Sequence, residues 1–183
     1  MNEKDLIAAI SQGDRKAFES FYESTSGLVY NTSLSYVHNT TDAEEVTQQV
    51  YIKVFKYIQN FKGDSALKTW LYRIAINTSL DFLKKKKRFS FMHSGIDNIQ
   101  NADFDHPGVL MEKKEAAKEL YKVIDTLPEK QRIAFTLIFI EGSPIKEVAD
   151  IMETSYKAVE SLLQRAKKNL REKLKKEYIK RRN

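Results

Sequence analysis

The sequence predicts an all-α protein in which two small helical domains are joined by a flexible linker. Apolar residues recur every three or four positions along most of the 183 residues, the spacing of helices that bury one face. This periodicity stops over residues 93–111, where Asn, Asp, Gly, Pro and Ser gather. The predicted domains are therefore residues 1–92 and residues 112–183, a division that the chain length allows.

The composition excludes several classes of protein. With 42% hydrophobic and 31% charged residues, the chain is typical of globular proteins and unlike disordered ones. It has no cysteine, which excludes disulfides, thiolate zinc sites and cysteine nucleophiles and fits a reducing compartment. No apolar run approaches the roughly 20 residues that span a bilayer, and the first residues lack the features of a signal peptide. We therefore expect a cytoplasmic protein without membrane insertion.

Positive charge is concentrated in two patches. Residues 84–88 (KKKKR) carry +5 and residues 157–183 carry +8, whereas residues 1–83 carry −2 and residues 89–156 carry −5. Basic patches on a mildly acidic body attract a polyanion, most often DNA, RNA or an anionic membrane. The membrane is the weakest of these, because the basic tail has no Trp or Phe to anchor it. The alternative is that the charges only keep the helix ends soluble.

The first domain begins with three predicted helices, over residues 5–12, 15–37 and 42–58. Gly13–Asp14 breaks the first pair, and Asp42 with Glu45 has the form of a capping arrangement for the third. The third helix would bury Ala43, Val46, Val50, Val54 and Ile58. Its other face would expose Glu45, Gln48, Gln49, Ile52, Lys53 and Lys56. An outward Ile beside two Gln leaves two interpretations open, a protein-binding surface or a solvated face.

Residues 61–88 combine a Gly-containing loop, a Trp–Tyr pair, a long amphipathic helix and five consecutive cations. The helix would direct Leu67, Trp70, Leu71, Ile74, Ala75, Thr78 and Phe82 toward a core. The opposite stripe would carry Arg73, Asn77, Asp81, Lys84 and Arg88. The segment is either a solvated helix with a basic end or a surface that handles nucleic acid. An aromatic ring and a carboxamide beside the Gly63 loop could hold an extruded base.

The second domain is predicted to end in a helix-turn-helix. One helix is expected over residues 112–127, with Ala116, Leu120, Val123 and Ile124. Pro128 is suited to the first turn of a second helix, which includes the apolar run 133–140. A short helix then opens at Pro144, and the Glu153–Ser155 connection leads to a longer helix. The longer helix would place Val159, Leu162, Leu163, Ala166, Leu170 and Leu174 inside. Its outward face would present Lys157, Ser161, Gln164, Arg165, Lys168 and Arg171.

These outward groups are suited to DNA. Amide, hydroxyl and guanidinium groups reach base edges, and lysines contact phosphates. A hairpin used only for packing is the alternative, which the +8 tail makes the weaker interpretation.

Residues suited to catalysis or metal binding are scattered. His38, His93 and His106 lie far apart in sequence, and the carboxylates are dispersed or stand at helix starts. A DNA-processing enzyme would need a carboxylate cluster or an activated nucleophile. The sequence therefore predicts no metal, no cofactor and no enzyme activity.

Three segments in order resemble the extracytoplasmic-function (ECF) group, or group 4, of the sigma-70 family of transcription initiation factors. They are DAEEVTQQVYIKVF (Asp42–Phe55), FKGDSALKTWLYRIAIN (Phe61–Asn77) and LPEKQRIAF (Leu127–Phe135), followed by the helix-turn-helix. The resemblance extends over nearly the whole chain, from residue 5 to residue 174. It implies an alternative sigma factor that directs RNA polymerase core to specific promoters and nucleates their opening.

The resemblance also implies roles for matching residues. The helix from Asp42 would dock on the clamp helices of the largest polymerase subunit, through Asp42, Glu45, Gln48, Gln49, Ile52 and Lys53. The next segment would read and melt the minus-ten element, with a pocket that captures a flipped base between Phe61 and Asn77. Its predicted DNA contacts are Phe61, Lys62, Gly63, Asp64, Arg73, Asn77, Lys84 and Arg88. Trp70, which lies on the apolar stripe, is instead expected to be largely core.

The second domain would bind the polymerase flap and read the minus-thirty-five element through Lys157, Ser161, Gln164, Arg165 and Lys168. The sequence departs from the family pattern where Glu160 and Leu162 replace residues that are often basic, and where Glu153 replaces a Gly that is usual in the turn. These departures put the recognised sequence in doubt. The family also implies an anti-sigma partner. The alternative function is a stand-alone helix-turn-helix regulator built on residues 112–183, which would leave residues 61–77 without a role.

Overall fold

The computed structural model describes the backbone of residues 3–94 and 114–182, and side chains within residues 3–92 and 115–176. The chain divides into two compact units, Met1–Asp105 and His106–Asn183, and each is described by itself. Within the described ranges every regular element is helical, which confirms the all-α prediction. No helix in these ranges is long and apolar enough to cross a membrane. Most of the predicted linker, residues 95–111, lies outside the described residues, as does His106.

Between residues 3 and 94, the first unit contains four α-helices and one 3₁₀ turn. They are α1 (Glu3–Ser11), α2 (Arg15–Val37), α3 (Thr40–Tyr57), the turn Ile58–Asn60, and α4 (Leu67–Ser94). Asp14 caps α2 because its Oδ1 accepts hydrogen bonds from the backbone N–H groups of Lys16 (2.9 Å) and Ala17 (3.1 Å). The helix α4 continues to Ser94, two residues beyond the predicted domain boundary.

The start of α3 corrects the predicted capping arrangement. The helix begins at Thr40 and its cap is Asn39, whose Oδ1 accepts from the Asp42 backbone N–H at 2.8 Å. The Asn39 Nδ2 donates in return to Asp42 Oδ2 at 2.7 Å. Asp42 thus occupies the third helical position that the sequence analysis gave to Glu45. The pairs Asn39–Asp42 and Asp42–Glu45 have the same spacing, so spacing alone does not decide between them. The preceding helix α2 ends at His38, whose φ is 63°, so α3 can begin directly after Asn39.

The core of the first unit lies where α2, α3 and α4 meet. The five residues that α3 was predicted to bury, Ala43, Val46, Val50, Val54 and Ile58, are each at most 1% exposed. On α4, Leu67, Leu71, Ala75 and Thr78 are buried, whereas Trp70, Ile74 and Phe82 are half-buried at the edge of the core. Burial raises the pKa of Tyr51 to about 12, despite a hydrogen bond of 2.7 Å between its hydroxyl and Thr25 Oγ1.

The described residues of the second unit, 114–182, also form four α-helices. They are α5 (Lys114–Asp125), α6 (Glu129–Phe135), α7 (Ile145–Ile151) and α8 (Tyr156–Arg182), with a π-helical turn at Thr136–Ile140. The predicted face of α5 was partly wrong, because Ala116 and Leu120 are exposed and Tyr121 is buried in their place. The apolar run after α6 is only partly core. Phe139 is 47% exposed, and Lys167 Nζ lies 4.7 Å from the centre of its ring.

The helix-turn-helix is present as predicted. Val148 and Ala149 of α7 are buried against α8, where Val159, Leu163, Ala166 and Leu170 form the packed stripe. Leu174 was predicted to be inside and is 41% exposed. One turn beyond Leu170, Lys173 reaches the residue that follows α5 and donates to the Thr126 carbonyl oxygen at 3.0 Å. Leu174 therefore lies past the packed part of α8.

Candidate protein-binding and nucleic-acid interfaces

The outward face of α3 exposes apolar side chains. Ile52 is 68% exposed and Phe55 is 60% exposed, while Glu45 and Gln48 lie beside them on the same side of the helix. Glu45 Oε1 accepts a hydrogen bond of 3.0 Å from Gln49 Nε2, which holds this polar pair along the helix. Phe55 was missed by the sequence analysis, although its position three residues after Ile52 places it on the same face. Exposed large apolar residues on a regular helix favour a protein-binding surface over a solvated face.

Asp42 and Lys53 differ from the other predicted contacts of α3, because both are engaged within the unit. The Asp42 side chain is only 14% exposed and pairs with Lys86 Nζ of the basic run. Lys53 is half-buried, and its Nζ donates to Thr78 Oγ1 at 3.0 Å. The prediction of an outward Lys53 was therefore wrong. The physical reason is that its long side chain turns toward α4, so these two residues brace α3 against α4.

The loop between the 3₁₀ turn and α4 is anchored at both ends. At its start, the half-buried Phe61 ring lies 5.5 Å from the Trp70 ring at an interplanar angle of 57°. At its end, the Leu67 backbone N–H donates to Glu3 Oε1 at 3.0 Å, so α1 caps α4. Between these anchors Lys62, Gly63 and Asp64 are exposed, and Gly63 has a φ of 77°, which favours glycine.

The predicted base pocket maps onto one face of α4. Trp70 and Asn77 are seven residues apart, which places them on the same side of the helix about 10 Å from each other along its axis, so their predicted placement on opposite stripes was wrong. Asn77 is exposed, and Arg73 between them is half-buried. Phe61 reaches this face through its contact with Trp70. Trp70 packs against the core with part of its surface exposed, so it lies beneath the face where the pocket is predicted.

The basic end of α4 carries apolar groups that the sequence analysis missed. Lys84 and Arg88 are exposed, as predicted. Immediately after Arg88, Phe89, Phe91 and Met92 are 65%, 63% and 78% exposed. The alternation of aromatic and polar residues after the cations was the available signal.

The outward face of α8 is uniformly polar. The five predicted contacts Lys157, Ser161, Gln164, Arg165 and Lys168 are all exposed. Their spacing keeps them within about 100° of arc on the helix. Arg165 Nε donates to the Ser161 carbonyl oxygen at 3.2 Å, which orients the guanidinium along this face. Tyr156, 50% exposed in the first turn, adds a ring that was not predicted.

The described part of the chain contains no group of three or more His, Asp or Glu side chains that could hold a metal ion. The two basic faces and the α3 face are the candidate sites.

Comparison with known families gives two matches in chain order. The family described as "Sigma-70 region 2" matches residues 21–89, and "Sigma-70, region 4" matches residues 117–170. The ECF RNA polymerase sigma-E factors of Escherichia coli (strain K12) and Salmonella typhimurium (strain LT2) are 31% identical over 176 residues, 91% of each chain. The RNA polymerase sigma-H factor of Pseudomonas aeruginosa is 31% identical over 175 residues, 90% of each chain.

Two solved structures share the fold. One is CnrH in complex with the cytosolic domain of CnrY, with a TM-score of 0.65 and 21% identity, covering 94% of this chain and 97% of that chain. The other is the sigma factor RpoE of Bartonella quintana in complex with the anti-sigma factor NepR, with a TM-score of 0.64 and 24% identity. The second likeness covers 87% of this chain and 98% of that chain.

Proposed function

This chain belongs to the ECF group of the sigma-70 family of RNA polymerase sigma factors, and from that premise we propose how its surfaces divide the work of promoter recognition. Sigma factors are initiation factors and not enzymes, so the chemistry is that of the polymerase. We assign residues 1–92 to core polymerase binding and minus-ten melting, and residues 112–183 to minus-thirty-five recognition, with residues 93–111 as the connection.

The α3 face is the proposed docking site for the clamp helices of the largest polymerase subunit. The observation that carries this proposal is the exposure of Ile52 and Phe55 in the middle of a regular helix. Burying such side chains against a partner helix supplies the driving force, and Glu45, Gln48 and Gln49 form the polar rim. Asp42 and Lys53 contribute indirectly, because their bonds to Lys86 and Thr78 hold α3 on α4.

The Phe61–Asn77 region is the proposed minus-ten reader. A base extruded from the non-template strand would stack on Phe61 and be hydrogen-bonded by Asn77, which offsets a few kcal/mol of lost stacking in the duplex. Lys62, Gly63 and Asp64 form the exposed loop around that base. Arg73, Lys84 and Arg88 would hold the strand through its phosphates.

The second unit is the proposed minus-thirty-five reader and flap-binding unit. Arg165 and Gln164 can reach base edges in the major groove, and Lys157, Lys168 and the Ser161 hydroxyl can contact phosphates. A stand-alone helix-turn-helix regulator would use this surface alone. The region 2 match at residues 21–89 does not favour that alternative.

Regulation by an anti-sigma factor is part of the proposal. The solved RpoE relative is bound to an anti-sigma factor. In this chain such a partner would compete with polymerase for the exposed apolar residues of α3, because one buried surface cannot serve two partners at once.

A reconstituted transcription assay with core polymerase and genomic DNA fragments tests the proposal. We expect initiation from a small set of fragments that depends on this chain. Replacing Ile52 with Glu should abolish association with core polymerase without unfolding the exposed helix face. Ser20→Glu serves as the control, because it makes the same change of charge at an exposed position of α2 outside the α3 face. A chain that neither joins polymerase nor directs initiation from any fragment would contradict the proposed function.

A further inference from the structure

Gly27 lies near the middle of α2, where glycine is the least favourable helix residue after proline. It has no positive φ that would require glycine, and a Cβ built at this position meets nothing within 4 Å. Neither the backbone nor the packing of the described residues explains why this position lacks a side chain. The open space above Gly27 is therefore the feature to be explained.

That space belongs to a surface groove of about 400 Å³ between α2 and α3. Tyr22 and Tyr30 of α2 line it on one side, and Glu44 and Gln48 of α3 line it on the other. Tyr22 is 44% exposed and is held in place by Tyr51, whose ring centre is 4.6 Å from its own. Ser26 and Thr47 complete the lining. Aromatic walls, a carboxylate and an amide thus surround a position without a side chain.

We propose that this groove receives a Lys or Arg side chain from a helix of core RNA polymerase, and that Gly27 lets that helix approach α2 closely. The inference rests on the proposed docking role of α3 and extends that surface onto α2. Two tyrosine rings favour a cation above their faces, and the Glu44 carboxylate supplies the opposite charge. Gln48 adds a carbonyl acceptor at the same rim.

Continuity with the docking face supports polymerase as the occupant. Glu44, Gln48 and Ile52 follow one another at intervals of four residues, so they form one stripe along α3. A helix lying on Ile52 and Gln48 would pass directly over the groove. If the groove held only water, nothing would favour glycine at position 27 over a residue of higher helix propensity.

Three variants separate this role from a structural one. Gly27→Ala should raise the unfolding temperature of the first unit by about 4 °C, because it improves helix propensity without a clash. Gly27→Leu, which fills the groove, should weaken binding to core polymerase at least tenfold with no fall in unfolding temperature. Ser20→Leu is the matched control, because Ser20 is an exposed residue of α2 about 10 Å away and outside the groove.

Glu44→Gln provides a test independent of folding at position 27. It should weaken binding about tenfold at low salt and make the affinity less dependent on salt, since it removes the charge that attracts the cation. Affinity is measured with fluorescently labelled chain and purified core polymerase over a salt series.

The outcomes distinguish this inference from the proposed function. If the wild-type chain does not bind core polymerase, the proposed function itself fails. If the wild type binds and Gly27→Leu binds equally well, only the groove inference is overturned. Should Gly27→Leu fail to fold, unchanged affinity of Glu44→Gln overturns the inference. If Gly27→Leu loses binding to an anti-sigma factor but keeps its binding to polymerase, the inference is also overturned, since the groove would then serve another protein.

Discussion

The outward faces of α4 and α8 are both basic, yet different neutral groups accompany the charge. On α4 the half-buried Phe61 ring lies against Trp70 beside a Gly63 loop, and Asn77 is exposed on the same face. On α8 the predicted contacts are a hydroxyl, an amide and three cations on one regular helix. Aromatic rings stack on unpaired bases, whereas amide and guanidinium groups reach the base edges of an intact duplex. The neutral groups therefore suit the two faces to the different states of DNA that we propose they hold.

The two regions also differ in how they are supported. The α4 face begins in a loop whose ends are fixed by Trp70 and by Glu3 of α1, so the loop can adapt between two anchors. The α8 face lies on a continuous helix packed through Val159, Leu163 and Ala166. A pocket for a flipped base needs local adjustment, and a duplex reader needs a rigid rod.

The largest expected effect comes from removing a buried side chain of α4, which would leave a cavity in the core. Leu71 is fully buried, and Leu71→Ala should destabilise the first unit by about 3 kcal/mol, because the cavity cannot be filled by its close-packed neighbours. Hydrogen exchange should show lower protection in α2, α3 and α4 and unchanged protection in α6 and α8. Equal loss of protection in both units would contradict the view that their cores are separate.

A smaller effect is expected at the base pocket. Phe61→Ala and Asn77→Ala should each reduce open-complex formation about tenfold, because each removes one of the two interactions with the flipped base, stacking being worth about 1–3 kcal/mol. Permanganate reactivity of melted thymines measures opening, and native gels measure polymerase binding, which should be retained.

Phe61→Leu is the matched control for that experiment. It keeps apolar contact with Trp70 but removes the aromatic face, so it should impair opening as Phe61→Ala does while preserving thermal stability. If Phe61→Leu opens promoters normally, the ring acts only in packing and the pocket is misassigned.

The duplex reader should respond differently to its own substitutions. Arg165→Ala should cost about 1–3 kcal/mol on the preferred minus-thirty-five sequence and relax selectivity there. Lys168→Ala should weaken binding across sequences and reduce the salt slope by about 0.9, the contribution of one phosphate contact. Competition binding of the holoenzyme to promoter variants measures both.

Lys122→Ala is the control for charge, because Lys122 on α5 is paired with Glu119 at 3.3 Å and lies outside the predicted contacts. An identical loss in Arg165→Ala and Lys168→Ala on every sequence would show that α8 holds phosphates only.

The fold was largely predictable because helical periodicity, caps and breakers are local signals. The five buried positions of α3 follow directly from apolar spacing. Pro128 and Pro144 mark the starts of two helices to within one residue, each being the cap just before the first turn in which it was predicted. The start of α3 was misassigned because Asn39–Asp42 and Asp42–Glu45 have the same spacing. Nothing in the sequence between them decides which pair is the cap.

The candidate sites were predictable in position but not in detail. Long side chains choose partners from other elements, so the inward turn of Lys53 to Thr78 and the pairing of Asp42 with Lys86 depend on how α3 lies on α4. The groove above Gly27 needs two helices to exist at all, and a single glycine in a helical pattern carries no such information. Leu174 shows the same limit, because apolar spacing on α8 continues past the helices that cover it.

The smallest expected effect concerns the turn that positions α8. Glu153 has a φ of 51°, and the turn is closed by hydrogen bonds from Thr154 N–H to the Ala149 carbonyl (3.0 Å) and from Glu153 N–H to the Asp150 carbonyl (3.2 Å). This arrangement favours glycine at position 153, because a side chain in the left-handed region is strained. Glu153→Gly should therefore stabilise the second unit by about 0.5 kcal/mol, since relief of strain exceeds the entropy that glycine adds to the unfolded chain.

Glu153→Ala separates strain from charge, because it removes the carboxylate and keeps the Cβ. Denaturant titrations should show a gain for the Gly variant and none for the Ala variant, and a gain in both would assign the effect to charge. The same hydrogen bonds fix the turn in each variant, so α8 keeps its orientation and duplex selectivity should not change. The departure from glycine at this position would then cost stability in the second unit alone, without altering which sequence its outward face reads.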